Sequence, residues 1–360
     1  MAIYLLNFIS IPIYDILFKN KKRTIIFFVS LQMFLILSLR NEMLGVDLNS
    51  YKEFFEYYKT MPLWDIIKGF RPIGGSAHEY GVESGYVLFN WIIGKLGFDF
   101  HGFLVIYAAL VILSVAVFMN RYCEDVAIGY AAFISVGGFV SLFGILRQSL
   151  ALAVLLCAIP ALVNRKFWKF AILVFVAGLF HQSILIAILI YPLSKIKANK
   201  IFYILMLAIS MVLVVFTPLL YNRIIFPLLV RLGRYYYIGD FAWNNMFAFM
   251  ILLAVLVMIF FKRRYDSDNA MQCGYIMTLP IQALAFYLPV FSRLAGSVFM
   301  NFLCILIPGT ISSFNTKSQR IQAKTIAFCV LAAFYVYTLL TNYDIVPYVS
   351  MWGTIEPVSA

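Results

Sequence analysis

Long apolar stretches follow one another along almost the whole chain, at 2–18, 24–39, 86–98, 103–119, 126–143, 145–163, 167–180, 182–194, 201–220, 244–261, 271–291, 294–313 and 325–341. A single soluble core cannot hide that much apolar surface in 360 residues, whereas a bilayer accepts it at about 20 residues per helical span. Backbone polar groups in lipid must be satisfied internally, which leaves helices or a closed barrel, and the stretches lack the strict alternation a barrel needs. The expected fold is therefore all-α: a polytopic integral membrane helical bundle of about 11–13 transmembrane or re-entrant helices. It forms one transmembrane domain over 1–360, with external loops at about 40–85 and 221–243. At 63% hydrophobic and 12% charged residues, the composition excludes a soluble enzyme, a nucleic-acid binder and a secreted disulfide scaffold. The five cysteines lack ligand or pairing spacing and read as packing residues.

The net charge of +12 is topological. Most of the 28 basic residues sit in short clusters between spans: Lys19/Lys21/Lys22/Arg23, Arg121, Arg165/Lys166/Lys169, Lys195/Lys197/Lys200, Lys262/Arg263/Arg264 and Lys317/Arg320/Lys324. Such clusters favour the cytoplasm. All fall on that side if 86–98 is re-entrant or interfacial and if 167–180 and 182–194 are two short helices meeting at His181. The acidic loop 40–85, the turn near Arg147, the apex at His181, the loop 221–243 and Arg293 then share the outer side.

That side collects the residues able to carry chemistry. Gly45 permits a tight turn ahead of Asp47, which either caps the helix carrying Tyr51 or offers a carboxylate to a substrate hydroxyl. Glu83 precedes the helix of Tyr86, where the dipole favours an acid and a catalytic carboxylate would also fit. Arg147 interrupts apolar sequence, at a cost of about 2.5–3.5 kcal/mol unless it reaches water or an anion. His181, the only histidine expected inside the hydrophobic bundle, is suited to proton transfer near neutrality. Arg293 follows Pro289, which frees backbone groups towards a cavity. Two arginines at outward helix ends, Arg147 and Arg293, suit a pyrophosphate because guanidinium forks match its oxygens. Arg231 and Arg234, ahead of Tyr235–Tyr237, have the composition of a sugar- and anion-binding loop and equally of an interfacial belt. No metal-ligand spacing and no nucleotide-binding loop occurs, so no cofactor is expected.

The ordered set Arg40…Gly45-Val46-Asp47…Tyr51, Glu83-x-Gly85-Tyr86, Arg147-Gln148, Phe180-His181-x-Ser183, Ser292-Arg293 and Val346-Pro347-Tyr348 resembles the EpsG family, which is similar to Wzy-type O-antigen and exopolysaccharide polymerases. The match departs at Ile184, where the family turn carries alanine. The resemblance implies a GT-C-like glycosyltransferase of the bacterial inner (cytoplasmic) membrane, polymerising undecaprenyl-pyrophosphate-linked oligosaccharide at the periplasmic face. It further implies Asp47, Glu83 and His181 as catalytic, Arg147, Arg293 and Gln148 on the pyrophosphate, and Arg40, Tyr51, Tyr86, Arg231 and Arg234 as sugar or anion contacts. Its partners would be the lipid-linked oligosaccharide, membrane lipid, a chain-length regulator and a flippase, with no nucleic acid. The alternatives are a transporter or flippase of lipid-linked sugars, which needs arginines in a cavity open to both sides, and an O-antigen ligase-like enzyme, which has a larger external loop.

Overall fold

The computed structural model describes residues 1–19, 21–45, 47–231, 241–242, 245–263, 265–288, 290–298, 302–341 and 344–353. In chain order the helices are α1 (Ala2–Leu17), α2 (Lys22–Ser38), α3 (Leu48–Thr60), α4 (Leu63–Lys68), α5 (Ser84–Lys95), α6 (Phe100–Tyr122), α7 (Val126–Ser135), α8 (Gly138–Ser141), α9 (Leu146–Val163) and α10 (Phe167–Gly178). A 3-10 helix (Gln182–Leu189) leads to α11 (Ile190–Leu193), α12 (Lys200–Leu220), a π turn (Tyr221–Ile225) and α13 (Phe226–Arg231). Then come α14 (Asn245–Phe260), α15 (Asp266–Ile276), α16 (Thr278–Leu284), α17 (Val290–Val298), α18 (Leu303–Ser312) and α19 (Lys317–Thr341). Among the described residues there is no strand, and the one extended pairing is an antiparallel bridge between Arg40 and Ser350.

This is an all-α multi-pass membrane protein. Four helical stretches are long and apolar enough to cross a bilayer: Phe100–Tyr122, Leu146–Val163, Lys200–Leu228 and Lys317–Thr341. Polar side chains start several helices where the sequence leaves lipid. Asp99, Asp125 and Asn199 accept from the backbone N–H of Gly102, Ile128 and Phe202 at 2.8, 3.3 and 2.9 Å, satisfying donors that have no partner within the helix.

Several apolar runs are not single spans, among them 271–291 and 294–313, which divide between α15, α16, α17 and α18. The run 126–143 breaks after Ser135 into α7 and α8. The run 86–98 gives α5, whose twelve residues reach about 18 Å, short of a bilayer core. Between 167 and 194, α10 stops at Gly178, and the chain restarts after His181 as the 3-10 helix and α11. The polar segment 40–85 is partly helical, carrying α3 and α4.

The helices group into two compact units, Met1–Ile188 with Ile321–Ala360, and Leu189–Arg320. In the first, α6 packs on α2 and α9, α9 on α10, α3 on α5, and α1 on α2 and α7. There α19 joins α1 through stacked Phe8 and Tyr335 rings at 5.5 Å, and α7 through the Thr338 hydroxyl donating to the Ser135 carbonyl. In the second, α12 packs on α14 and α16, α14 and α15 on α18, and α16 on α17. Asn269 ties the loop after α11 to α15 by donating to the carbonyls of Ser194 and Ile196 and accepting from the Ala198 N–H. Outward faces are apolar: Ile16, Trp168 and Ile201 are 76%, 77% and 75% exposed, a surface matched to lipid. Cys157 and Cys329 also lie exposed on such faces, so the expectation of five packing cysteines holds only for buried Cys123, Cys273 and Cys304.

Asp15, unusual in the first apolar run, has a partner at long range. Lys324 of α19 donates to Asp15 at 2.7 Å and to Asp125 at 2.5 Å, closing α1, the start of α7 and α19 around one ammonium. Lys324→Met leaves two half-buried carboxylates facing each other without a cation. It is expected to destabilise the purified protein by about 1–3 kcal/mol, read as a lowered thermal midpoint that Asp15→Asn in the same chain partly restores.

Candidate functional site

Glu83 stands in the connection ahead of α5, outside any helix long enough to cross a bilayer, and its residue is 7% exposed. Three partners converge on its carboxylate. Arg147, in the first turn of α9, donates from Nη1 to Oε2 at 2.6 Å. Nδ1 of His181 lies 3.1 Å from Oε1, and the Gln182 backbone N–H donates to the same oxygen at 3.4 Å. Arg147 and His181 keep 29% and 27% of their side-chain surface, so the cluster is roofed but reachable.

Local sequence explains the convergence. Gly85 donates its N–H to the Leu179 carbonyl at 2.8 Å, and a Cβ there would stand 2.7 Å from that oxygen. Only glycine lets α5 approach the end of α10 so closely, and the approach places Glu83 beside His181. Gly45 acts similarly: its φ is +137°, and a Cβ would meet the Phe143 carbonyl oxygen at 2.3 Å. The segment leading to α3 thereby lies against the turn that precedes Arg147.

Electrostatics lock the cluster. Burial alone would push the Glu83 carboxyl up, but the hydrogen bond with His181 and the Arg147 charge hold it down at about 2. A guanidinium at a helix amino end opposes the dipole, which the carboxylate offsets. Where Nδ1 carries the proton it donates to the Glu83 carboxylate, and that bond fixes the orientation of the imidazole. Tyr51 neighbours Arg147 and is 4% exposed; burial pushes its phenol up, so it stays neutral. Tyr86 is fully buried with its ring 5.8 Å from that of Tyr51, and its hydroxyl has no partner among the described residues.

The other expected site residues divide. Asp47 is exposed, adopts a φ of +63° and makes no side-chain cap to α3, so the capping expectation fails: in that left-handed conformation its backbone carbonyl, not its carboxylate, receives the Tyr51 N–H at 3.0 Å. Gln148 is buried in α9, 5% exposed. Arg40 does not reach a surface where sugar could meet it, being wholly buried. Its Nη1 donates to the Leu142 carbonyl at 3.3 Å, its guanidinium lies 4.9 Å over the Phe143 ring, and Nε and Nη2 have no partner among the described residues. The segment at Tyr348 closes over the same end of α2, with the Tyr348 hydroxyl donating to Ile36 and Met351 N–H to Leu39. Arg293 and Arg231 belong to α17 and α13 of the second unit. Their side chains, with Arg234, Tyr235–Tyr237 and Pro289, lie outside the described residues.

Sequence reasoning missed the aromatic wall beside the cluster. Tyr51, Phe54 and Tyr58 share one face of α3, and the spacing of three and four residues was the signal.

The sequence model of the EpsG family matches residues 23–350, which include Glu83, Arg147 and His181. No curated protein and no solved structure matches the chain.

Glu83 has a folded value below its ordinary one, so its stabilisation is complete above about pH 4.5 and is lost as pH falls towards about 2. The thermal midpoint of the purified protein should decline across that window. Glu83→Gln should flatten the decline while lowering the midpoint at neutral pH, because Arg147 is left without its carboxylate.

Proposed function

The chain belongs to the EpsG family, and from that premise we propose a membrane glycosyltransferase that polymerises undecaprenyl-pyrophosphate-linked oligosaccharide repeat units into O-antigen or exopolysaccharide. We place the reaction at the periplasmic face of the bacterial inner membrane, where the positive-inside pattern puts loop 40–85 and the apex at His181. The observation that carries the reading is the convergence of Glu83, Arg147 and His181, from three distant parts of the chain, on one partly open site.

In the proposed reaction a hydroxyl of the incoming lipid-linked unit attacks the anomeric carbon of the growing chain. The new carbon–oxygen bond forms as the bond to pyrophosphate breaks, and undecaprenyl pyrophosphate leaves with the electron pair. His181 Nε2 accepts the hydroxyl proton. Glu83 serves as the positioning residue: its value near 2 makes it a poor base at neutral pH, and it instead holds the imidazole in the useful tautomer. Arg147 offers its remaining N–H groups to the departing pyrophosphate, whose charge grows in the transition state. Asp47, exposed one helical turn before Tyr51, is the carboxylate available to orient the acceptor sugar. Energy comes from the pyrophosphate linkage, so the reaction calls for no nucleotide. A chain-length regulator and a flippase would act beside such an enzyme.

Purified protein supplied with its lipid-linked repeat unit and no nucleotide should build polymer. Arg147→Ala should lower turnover by on the order of 10²–10³-fold and His181→Gln by on the order of 10²–10⁴-fold. In cells, both should leave single-repeat surface chains while the protein stays in the membrane. Parental chain lengths in the two variants would reject the reading, and complete loss of surface glycan would point to transport.

A further inference from the structure

An unbroken series of ring contacts runs from the site to solvent. Buried Tyr51, the neighbour of Arg147, lies 5.9 Å from Phe54; Phe54 lies 4.7 Å from Tyr80; and Tyr80 lies 5.2 Å from Tyr57. Phe54 and Tyr57 are half-buried on α3, and Tyr80, in the connection before α5, is 38% exposed. This connection is tied by its own backbone: the N–H of Ser76 donates to Val82, that of Ala77 to Gly69 and that of Gly81 to His78, each within 2.9 Å. We infer that Phe54, Tyr57 and Tyr80 form a stacking platform for the sugar chain, which leads it to the Glu83–Arg147–His181 site. The inference rests on the glycosyl-transfer reading above and adds to it a glycan subsite outside the reacting centre.

The chemistry favours sugar over lipid. Aromatic faces carry negative charge and attract the polarised C–H edges of a pyranose ring, and rigid rings lose little entropy on binding. Glu56 and Glu42 are held by Lys59 and Lys52, whereas Glu53 and Glu79 stand exposed beside Tyr80. Carboxylates suit sugar hydroxyls and are repelled by an anionic headgroup layer.

The test compares Tyr80→Ala, Tyr80→Leu and Tyr80→Trp. Tyr80 lies on a connection and is 38% exposed, and because its ring also meets that of buried Tyr58 at 6.3 Å, each variant is first shown to keep the parental thermal midpoint. Delipidated polysaccharide fragments from the host strain should bind purified Ala and Leu variants about 2- to 10-fold more weakly, by saturation-transfer NMR. Strains carrying these variants should make shorter surface chains, and Trp should restore both binding and length. Restoration by Leu would mean that apolar burial suffices, and the platform would be rejected. Parental length and binding in the Ala variant would reject it equally. Arg147→Ala in the same background separates the two ideas: polymer surviving there sinks the glycosyl-transfer reading itself, whereas its loss beside parental chains in Tyr80→Ala sinks the platform alone.

Discussion

A guanidinium in the first turn of an apolar helix is opposed twice, by the lipid-like surroundings and by the positive end of the helix dipole. Arg147 is tolerated because the Glu83 carboxylate meets it at 2.6 Å and is itself fixed by His181 and the Gln182 N–H. The order of dependence runs outward from that carboxylate. Without it the arginine would lose its carboxylate and the imidazole its partner, while α5 would keep the Gly85 N–H bond to the Leu179 carbonyl at the end of α10. A buried pair of this kind is weak evidence for stability in its own right, since desolvation consumes much of the attraction. Its value here is positional, because it brings an imidazole and a guanidinium together where both keep part of their surface open.

Two close backbone approaches make the arrangement possible. At Gly85 and Gly45 the chain comes so near the Leu179 and Phe143 carbonyls that a methyl group would collide. Each glycine joins a polar segment to the end of an apolar helix, and each such junction brings a site residue to its neighbours. Tyr51, Phe54 and Tyr58 of α3 stand on one face beside that site, Tyr51 and Tyr58 buried and Phe54 half-buried.

Single residues were more legible than their meeting. Arg147 and His181 stand out because each interrupts an apolar run, and Glu83 because it precedes one. Their separations of 64 and 98 positions give no hint that one carboxylate binds both. Arg40, singled out by the family resemblance at the end of the second apolar run, is wholly buried beside the segment at Tyr348. Sequence cannot distinguish it from Arg147, because an isolated charge looks alike whether tertiary packing covers it or leaves it a path to water. The Asp47 cap failed for a local reason: its left-handed backbone turns the carboxylate away from the helix it begins.

The sequence by itself determined the all-helical membrane architecture, since backbone in lipid must bond to itself and hydropathy records where lipid begins and ends. It also determined the break at His181, the polar segment between α2 and α5, and the family. Tertiary structure alone decided that 126–143 is interrupted, that Lys324 answers Asp15, and that Arg147 and His181 meet on the Glu83 carboxylate. Hydropathy is a one-dimensional property that each residue carries alone, whereas a carboxylate's protonation and a guanidinium's access depend on which distant atoms packing brings within a few ångströms.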